Sequence, residues 1–242
     1  MNTVSAYNYL KNNEIEESSK VEESFFIRSF KQFEPIFEDF EIKLISQESL
    51  ARFSSFDTEK KRSIYLRVLN YHNFLLSMIG KEIDISNNKR TLKTALKDFG
   101  LHTSDEIYNH IDEADVVEVY DKNYTQIYRN INCLKFTSYD ALTLSSYEWV
   151  ELFERDQAVN ALLFDEASLL LTEKLSLYES KAEEHLMIEK FSPEEKKMLI
   201  KNKYGSTVYD SKGNIEGFIC TQSAQVIGDK NNDISVGFLR SH

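Results

Sequence analysis

The amino-acid sequence predicts an α+β protein, with helices in its first half and an antiparallel sheet in its second. Apolar residues in the first half recur mostly at three- and four-residue intervals, which is typical of amphipathic helices. Near residue 115 the period changes to the alternation of a strand. Five of the seven glycines follow residue 204, where hairpin turns need positive φ angles. We therefore expect a helical N-terminal module, residues 1–110, followed by a sheet with flanking helices, residues 111–242.

The first elements are predicted from apolar spacing and helix breakers. Residues 3–20 are polar and acid-rich, which indicates a loosely ordered tail or a frayed helix. The pattern over Phe25–Phe53 predicts two short amphipathic helices, with Pro35 marking a break or a new start. A longer helix is predicted over Thr58–Ile79, ended by Gly80.

Two shorter helices complete the predicted module. One covers Thr91–Phe99 and is closed by Gly100. The other begins near Thr103, where the letters TSDE have the form of a capping box.

The second module begins with a predicted hairpin. Val117 and Val119 alternate with their neighbours, the letters DKN supply a turn, and Gln126–Arg129 follow as a second strand. Residues 133–153 return to helical spacing. The stretch Asp156–Met198 is predicted to be helical, with one break near Pro193.

Strands are predicted again in the C-terminal tail. They cover Ser206–Tyr209, Ile215–Ile227 and Ile234–Leu239. The letters DSKGN, over Asp210–Asn214, are the strongest turn signal in the chain.

Composition limits the classes of partner. The chain has 40 acidic and 29 basic residues, a formal net charge of −11, so we expect no nucleic acid partner. No run of 18 apolar residues occurs, and the N-terminus lacks both the basic start and the apolar segment of a signal peptide. A cytoplasmic protein without a membrane partner is expected. Cys133 and Cys220 are far apart without a CxxC motif, so we interpret them as small buried hydrophobes.

The second module resembles a PAS sensor domain at both of its ends. The segment VVEVYDKNYTQIYRNINCLKFTSYDALTLSSYEW, from Val116, is similar to the opening strands and small helices of that family. The segment KYGSTVYDSKGNIEGFICTQ, from Lys203, is similar to the two closing strands. Asn130 or Asn132 stands where the family commonly has an asparagine before its first helix. The helical stretch before Lys203 is longer than a compact PAS core needs, and no strand is evident before Ser206.

The resemblance implies a ligand cavity between the sheet and the small helices. Its candidate lining residues are Val117, Val119, Ile127, Tyr139, Trp149, Phe153 and Phe218. The alternative interpretation is plain core packing, which we favour for most of these residues.

No cofactor is predicted. The letters NCLKF, from Asn132, are similar to the cysteine motif of flavin photosensors, but Cys133 falls at the start of the first helix instead of near Tyr147–Val150. His185 is the candidate axial ligand for haem, on a predicted helix whose KAEE flank favours a solvent-exposed face. No histidine pair has metal-binding spacing.

The resemblance implies a signalling or regulatory module. The sequence contains no GxSxG motif and no phosphate-binding glycine loop, so we expect this module to be non-enzymatic. It would bind a small ligand or a partner protein, or form a homodimer through its flanking helices. The first alternative is a ligand-free scaffold protein that pairs a partner strand with Ile234–Leu239. The second is an enzyme of unrecognised type. The two-module division implies that residues 111–242 fold cooperatively alone.

Overall fold

The first layer of the molecule consists of helices, in a computed structural model that describes residues 19–192 and 194–229. These helices are α1 (Ser19–Asp39), α2 (Gln47–Ser55), α3 (Thr58–Gly80) and α4 (Asn88–Asp98). Side-chain caps begin three of them: Ser46 precedes α2, Asp57 precedes α3 and Asn87 precedes α4, and each accepts a hydrogen bond from a first-turn backbone N–H. The predicted α3 and α4 are therefore confirmed, within a residue or a turn of their expected bounds.

The break predicted at Pro35 is wrong. Pro35 lies inside α1, which continues to Asp39. Phe30, Phe33 and Phe37 are buried on both sides of the proline. Because burial of this apolar face outweighs the single hydrogen bond that proline removes, the helix continues through it.

The second half of the chain supplies the sheet and its connecting helices. The elements in order are β1 (Leu101–Thr103), a 3₁₀ helix (Asp105–His110), β2 (Val116–Asp121), β3 (Gln126–Arg129), α5 (Ile131–Phe136), α6 (Ala141–Ser146), α7 (Trp149–Leu152), β4 (Phe153–Arg155), α8 (Gln157–Thr172), β5 (Tyr178–Glu179), β6 (His185–Glu189), β7 (Lys197–Asp210) and β8 (Ile215–Gly228). The α+β class is therefore confirmed.

Eight described strands form one antiparallel sheet. The strand order along its main path is β3-β2-β8-β7-β6-β4, while β1 and β5 also pair with β7. The predicted β2–β3 and β7–β8 hairpins are confirmed. In the turn between β7 and β8, Gly213 has a φ of 79°, and Asp210 accepts hydrogen bonds from the backbone N–H groups of Lys212 and Asn214.

The helical stretch predicted over Asp156–Met198 is confirmed up to Thr172 and is wrong beyond it. Only Gln157–Thr172 is helical, and His185–Glu189 forms β6 between β7 and β4. In β6 the buried residues are His185, Met187 and Glu189, while Leu186 is exposed. Because two of the inward-facing residues are polar, the alternation of burial does not appear as an alternation of hydropathy.

The capping box predicted at Thr103 is also wrong. Leu101–Thr103 pair with β7, and Ser104 caps the 3₁₀ helix through the N–H of Glu106. Of the tail predicted at residues 3–20, residues 3–18 lie outside the described residues and the last two begin α1. The break at Pro193 and the strand Ile234–Leu239 also lie outside the described residues.

The sheet lies between two layers of helix. One face joins α1–α4 and α6 in a large core that includes Val117, Val119 and Ile219. The other face packs against α8 in a smaller core of Tyr120, Ala167, Leu170 and Phe218. Within the described residues, no helix is both long and apolar enough to cross a bilayer.

The large core continues across residue 110. The backbone N–H groups of Ala141 and Leu142 donate to the carbonyls of Lys43 and Leu44, at 2.9 and 3.0 Å. Strand β1 also lies before residue 110 and pairs with β7 after it. Backbone hydrogen bonds thus connect the two predicted modules directly.

Candidate functional site

A cavity of about 90 Å³ lies between the sheet and α8. Strand β2 contributes Glu118 and Tyr120, β4 contributes Phe153 and Arg155, β6 contributes Met187, β8 contributes Phe218, Cys220 and Gln222, and α8 contributes Leu163, Phe164, Glu166, Ala167 and Leu170. Trp149 of α7 and Cys133 of α5 complete one side. Tyr178 of β5 and Asn202 of β7 also belong to the lining, so residues from six strands and three helices converge on this cavity.

Aromatic rings form a large part of its walls. Tyr120 and Phe218, opposite each other on β2 and β8, stack with their ring centroids 5.3 Å apart. Trp149 and Phe164 lie 5.4 Å apart on the helical side. These surfaces suit an apolar ligand, because binding there removes hydrocarbon from water.

Glu118 is the carboxylate on the sheet side of the cavity. Its side chain accepts hydrogen bonds from the Gln126 amide, from the Gln222 amide at 2.9 Å and from the Cys133 thiol at 3.7 Å. Burial raises its pKa, while the charges of Arg129 and Arg155 act in the opposite direction. The carboxyl group is thus held in place by neutral donors and takes up a proton more readily than an exposed glutamate.

Arg155 is the cation of the cavity. Its guanidinium lies 4.9 Å from the ring centroid of Trp149, and its Nη2 donates to the Met187 sulfur at 2.8 Å. Its Nε is buried and has no hydrogen-bond partner. Burial lowers the pKa of this guanidinium, while Tyr120 and Glu118 act in the opposite direction.

Glu166 connects α8 to the segment after β5. Its carboxylate accepts hydrogen bonds from the Ser180 hydroxyl and the Lys181 backbone N–H, both at 2.7 Å, and from the Tyr178 hydroxyl at 3.4 Å. Thr207 of β7 also donates to the carbonyl of Leu170, at 2.7 Å. These contacts fix the helix that covers the cavity.

Both cysteines lie at the cavity as free thiols. Burial is the largest cause that raises their pKa values, and Glu118 adds to it. The thiols therefore stay protonated at neutral pH and are poor nucleophiles.

The structure brings three of the predicted cavity residues together. Trp149, Phe153 and Phe218 line the cavity. Ile127 instead lines a second cavity of about 340 Å³ beside α3, and Tyr139 lines a third of about 430 Å³ near α2.

Val117 and Val119 lie on the opposite face of β2, in the large core beneath the first helical layer. Because side chains alternate along a strand, the cavity-facing residues of β2 are Glu118 and Tyr120. The sequence favours Val117 and Val119 as cavity residues because they are more apolar than Glu118 and Tyr120, but they lie on the other face of β2. Apart from this alternation, nothing in the sequence predicted that Glu118 and Arg155 line the cavity.

The haem candidate His185 lies on β6, not on a helix as predicted. It is buried, its Nδ1 is 2.9 Å from the carbonyl oxygen of Glu183, and its Nε2 has no hydrogen-bond partner. Burial lowers its pKa. Over the described residues, no three histidine, cysteine or acidic side chains are grouped to hold a metal ion.

The chain matches no protein-family model and no curated protein.

Proposed function

We propose that the protein is a non-enzymatic sensor or regulatory module of PAS-like type, which binds a small ligand in the cavity between the sheet and α8. The observation that carries the proposal is the composition of this cavity: aromatic walls with a buried carboxylate and an incompletely bonded guanidinium. Ligand sites typically combine an apolar lining with a few convergent polar groups.

The arrangement of the sheet supports the PAS-like part of the proposal. The opening hairpin and the two closing strands, which carry the resemblance, are adjacent through the pairing of β2 with β8. The helices α5 to α8 lie between them in sequence. The cavity lies between the sheet and α8, with the small helices α5 and α7 on one side, whereas the resemblance implies a cavity between the sheet and the small helices alone.

The volume restricts the size of the ligand. About 90 Å³ equals the liquid volume of roughly three water molecules, so the ligand has on the order of three to six non-hydrogen atoms.

The first experiment is native mass spectrometry combined with fluorescence. The chain has a single tryptophan, Trp149, and it lines the cavity, so a bound ligand should change its emission. We expect a co-purifying small molecule, or a saturable change in emission when small apolar compounds are added.

A matched pair of variants locates the binding site. Ala167 and Ala161 both lie on α8, but only Ala167 lines the cavity, whereas Ala161 is exposed. Ala167→Leu should fill the space and abolish the emission change, and Ala161→Leu should leave it unchanged. A bare polypeptide mass, together with no emission change in the wild type, would refute ligand binding.

The second candidate function is contact with another copy of the chain through the helical layer. Leu76 and Ile79 lie three residues apart on α3, and their side chains are 43% and 48% exposed. The same mass spectrum reports the oligomeric state. If a dimer forms there, Leu76→Glu should convert it to a monomer, and Glu59→Gln on the same helix should not. We also propose a cytoplasmic location for the protein, whichever of the two functions it has.

A further inference from the structure

The cavity holds a cation that feels the charge of Glu118 but forms no ion pair within the described residues. Among the described lining residues, Arg155 is the only one with a positive charge. No carboxylate of the described chain forms an ion pair with it. Its one hydrogen bond goes to the Met187 thioether, which is a weak acceptor, and its Nε has none.

The two carboxylates of the lining are engaged elsewhere. Glu118 accepts hydrogen bonds from two amides and a thiol, and Glu166 accepts them from Ser180, Lys181 and Tyr178. A guanidinium whose Nε is buried without a partner is unfavourable, and proteins normally pair such a charge with an anion. The cavity therefore has room and unused donors for one negative group.

We propose that the ligand is a small monocarboxylic acid, whose carboxylate binds Arg155 and whose hydrocarbon chain packs against Trp149 and Phe164. This inference rests on the proposed function. A planar guanidinium fork binds a carboxylate through two parallel hydrogen bonds. Phosphate and sulfate fit less well, because the lining supplies one cation and two carboxylates. Acetate, propionate and butyrate fall within the size that the volume allows.

The environment of Glu118 is compatible with an anionic ligand. Burial raises the pKa of Glu118, which favours its uncharged form beside a bound carboxylate. Tyr120 is also uncharged, because burial raises its pKa. The lining also includes the amides of Gln222 and Asn202, and the Oδ1 of Asn202 is buried without a hydrogen-bond partner.

The test compares three probes of the same chain length by titration, with Trp149 emission as the signal. Butyrate, butyramide and butylamine differ only in charge and hydrogen-bonding groups. In the wild type we expect butyrate to bind at least about tenfold more tightly than butyramide, because its hydrogen bonds to Arg155 are charge-assisted. Arg155→Met should reduce this preference to less than about twofold while butyramide still binds, since Met keeps the apolar stem.

Two further variants separate recognition from structure. Arg155→Lys keeps the charge but not the fork, so it should retain an intermediate preference for butyrate. Ala161→Leu, outside the cavity, should retain the wild-type preference. The comparison of acid with amide in the wild type is decisive even if Arg155→Met does not fold.

Each result either supports or overturns the inference. Equal affinities for butyrate and butyramide in the wild type would overturn the carboxylate class and leave ligand binding in the cavity intact. Preference for butylamine would also overturn it and would point to one of the two lining carboxylates, Glu118 or Glu166, as the binding group. If none of the three probes changes the emission and no small molecule co-purifies, both this inference and the proposed function fail.

Discussion

Gly217→Ala is predicted to be severely destabilising. Gly217 lies between Asp121 of β2 and Val208 of β7. A Cβ atom there would lie 2.0 Å from the carbonyl oxygen of Tyr120 and 3.1 Å from the Cα of Asp121, whereas ordinary contact begins near 3.4 Å. The strands would have to separate by at least 1.4 Å, the difference between 3.4 and 2.0 Å.

The size of the stability loss depends on which atoms the new Cβ would clash with. Overpacking in a core usually costs about 1–3 kcal/mol, because side chains can move aside. Here the obstacle is backbone, held by pairing with both β3 and β8. We therefore expect a loss at the upper end, about 3 kcal/mol or more, equivalent to a fall in Tm of roughly 6–12 °C for a chain of this size.

Two other glycines provide matched controls for the same substitution. A Cβ at Gly80 or Gly213 meets no atom within 4 Å. Gly213 has a φ of 79°, so Gly213→Ala should cost about 1–2 kcal/mol through backbone strain alone. Gly80→Ala, at the end of α3, should be neutral or stabilising by up to about 1 kcal/mol.

The assay is urea denaturation of the four proteins, followed by far-ultraviolet circular dichroism. The expected order of midpoints is Gly80→Ala, at or above wild type, then Gly213→Ala and then Gly217→Ala. A Gly217→Ala midpoint equal to that of Gly213→Ala would show that β2 yields without cost, and would refute the reasoning from the close approach of the two backbones.

Three further predictions concern the cavity and the core. Because burial raises the pKa of Glu118, the folded state binds the proton of this carboxyl group more tightly than the unfolded state does. The stability of the wild type relative to Glu118→Gln should therefore fall as the pH rises from 4.5 toward neutrality, measured by thermal melts of both proteins at each pH. A stability difference that does not depend on pH would contradict this. Glu166→Ala leaves three donors without their acceptor and should lower the free energy of unfolding by about 3 kcal/mol in urea denaturation. Glu166→Gln keeps the shape of the side chain and should lower it clearly less. Equal losses in the two variants would rule out the hydrogen bonds as the cause. The large core contains residues from both sides of position 110, and β1, before that position, pairs with β7 after it. A fragment of residues 111–242 should therefore aggregate or melt without a cooperative transition. A sharp two-state melt of this fragment by calorimetry would support the two-module division instead.

Local signals in the sequence were sufficient for much of the fold. The extent of α3 follows from its apolar spacing and Gly80, and the β7–β8 turn follows from Asp210 and Gly213, whose effects act within a few residues. The hairpin of β2 and β3 was predicted for the same reason. Where a local rule competed with burial, as at Pro35, burial decided the outcome.

The candidate site depended on contacts that are distant in sequence. Glu118 meets Gln222, and Arg155 meets Met187, only because strands far apart in the chain become neighbours. Strand β6 was missed because its inward-facing residues include the polar His185 and Glu189.

The sequence by itself determined the α+β class, the positions of the long early helices and the two hairpins, because capping, turn chemistry and periodicity are local properties. Only the tertiary structure decided which face of β2 meets the cavity and which meets the helical core. Alternation along a strand separates its two faces but does not specify what covers each one. The charge of Arg155 became a candidate ligand anchor only when the pairing of β4 with β6 placed it beside Trp149, where no described carboxylate forms an ion pair with it.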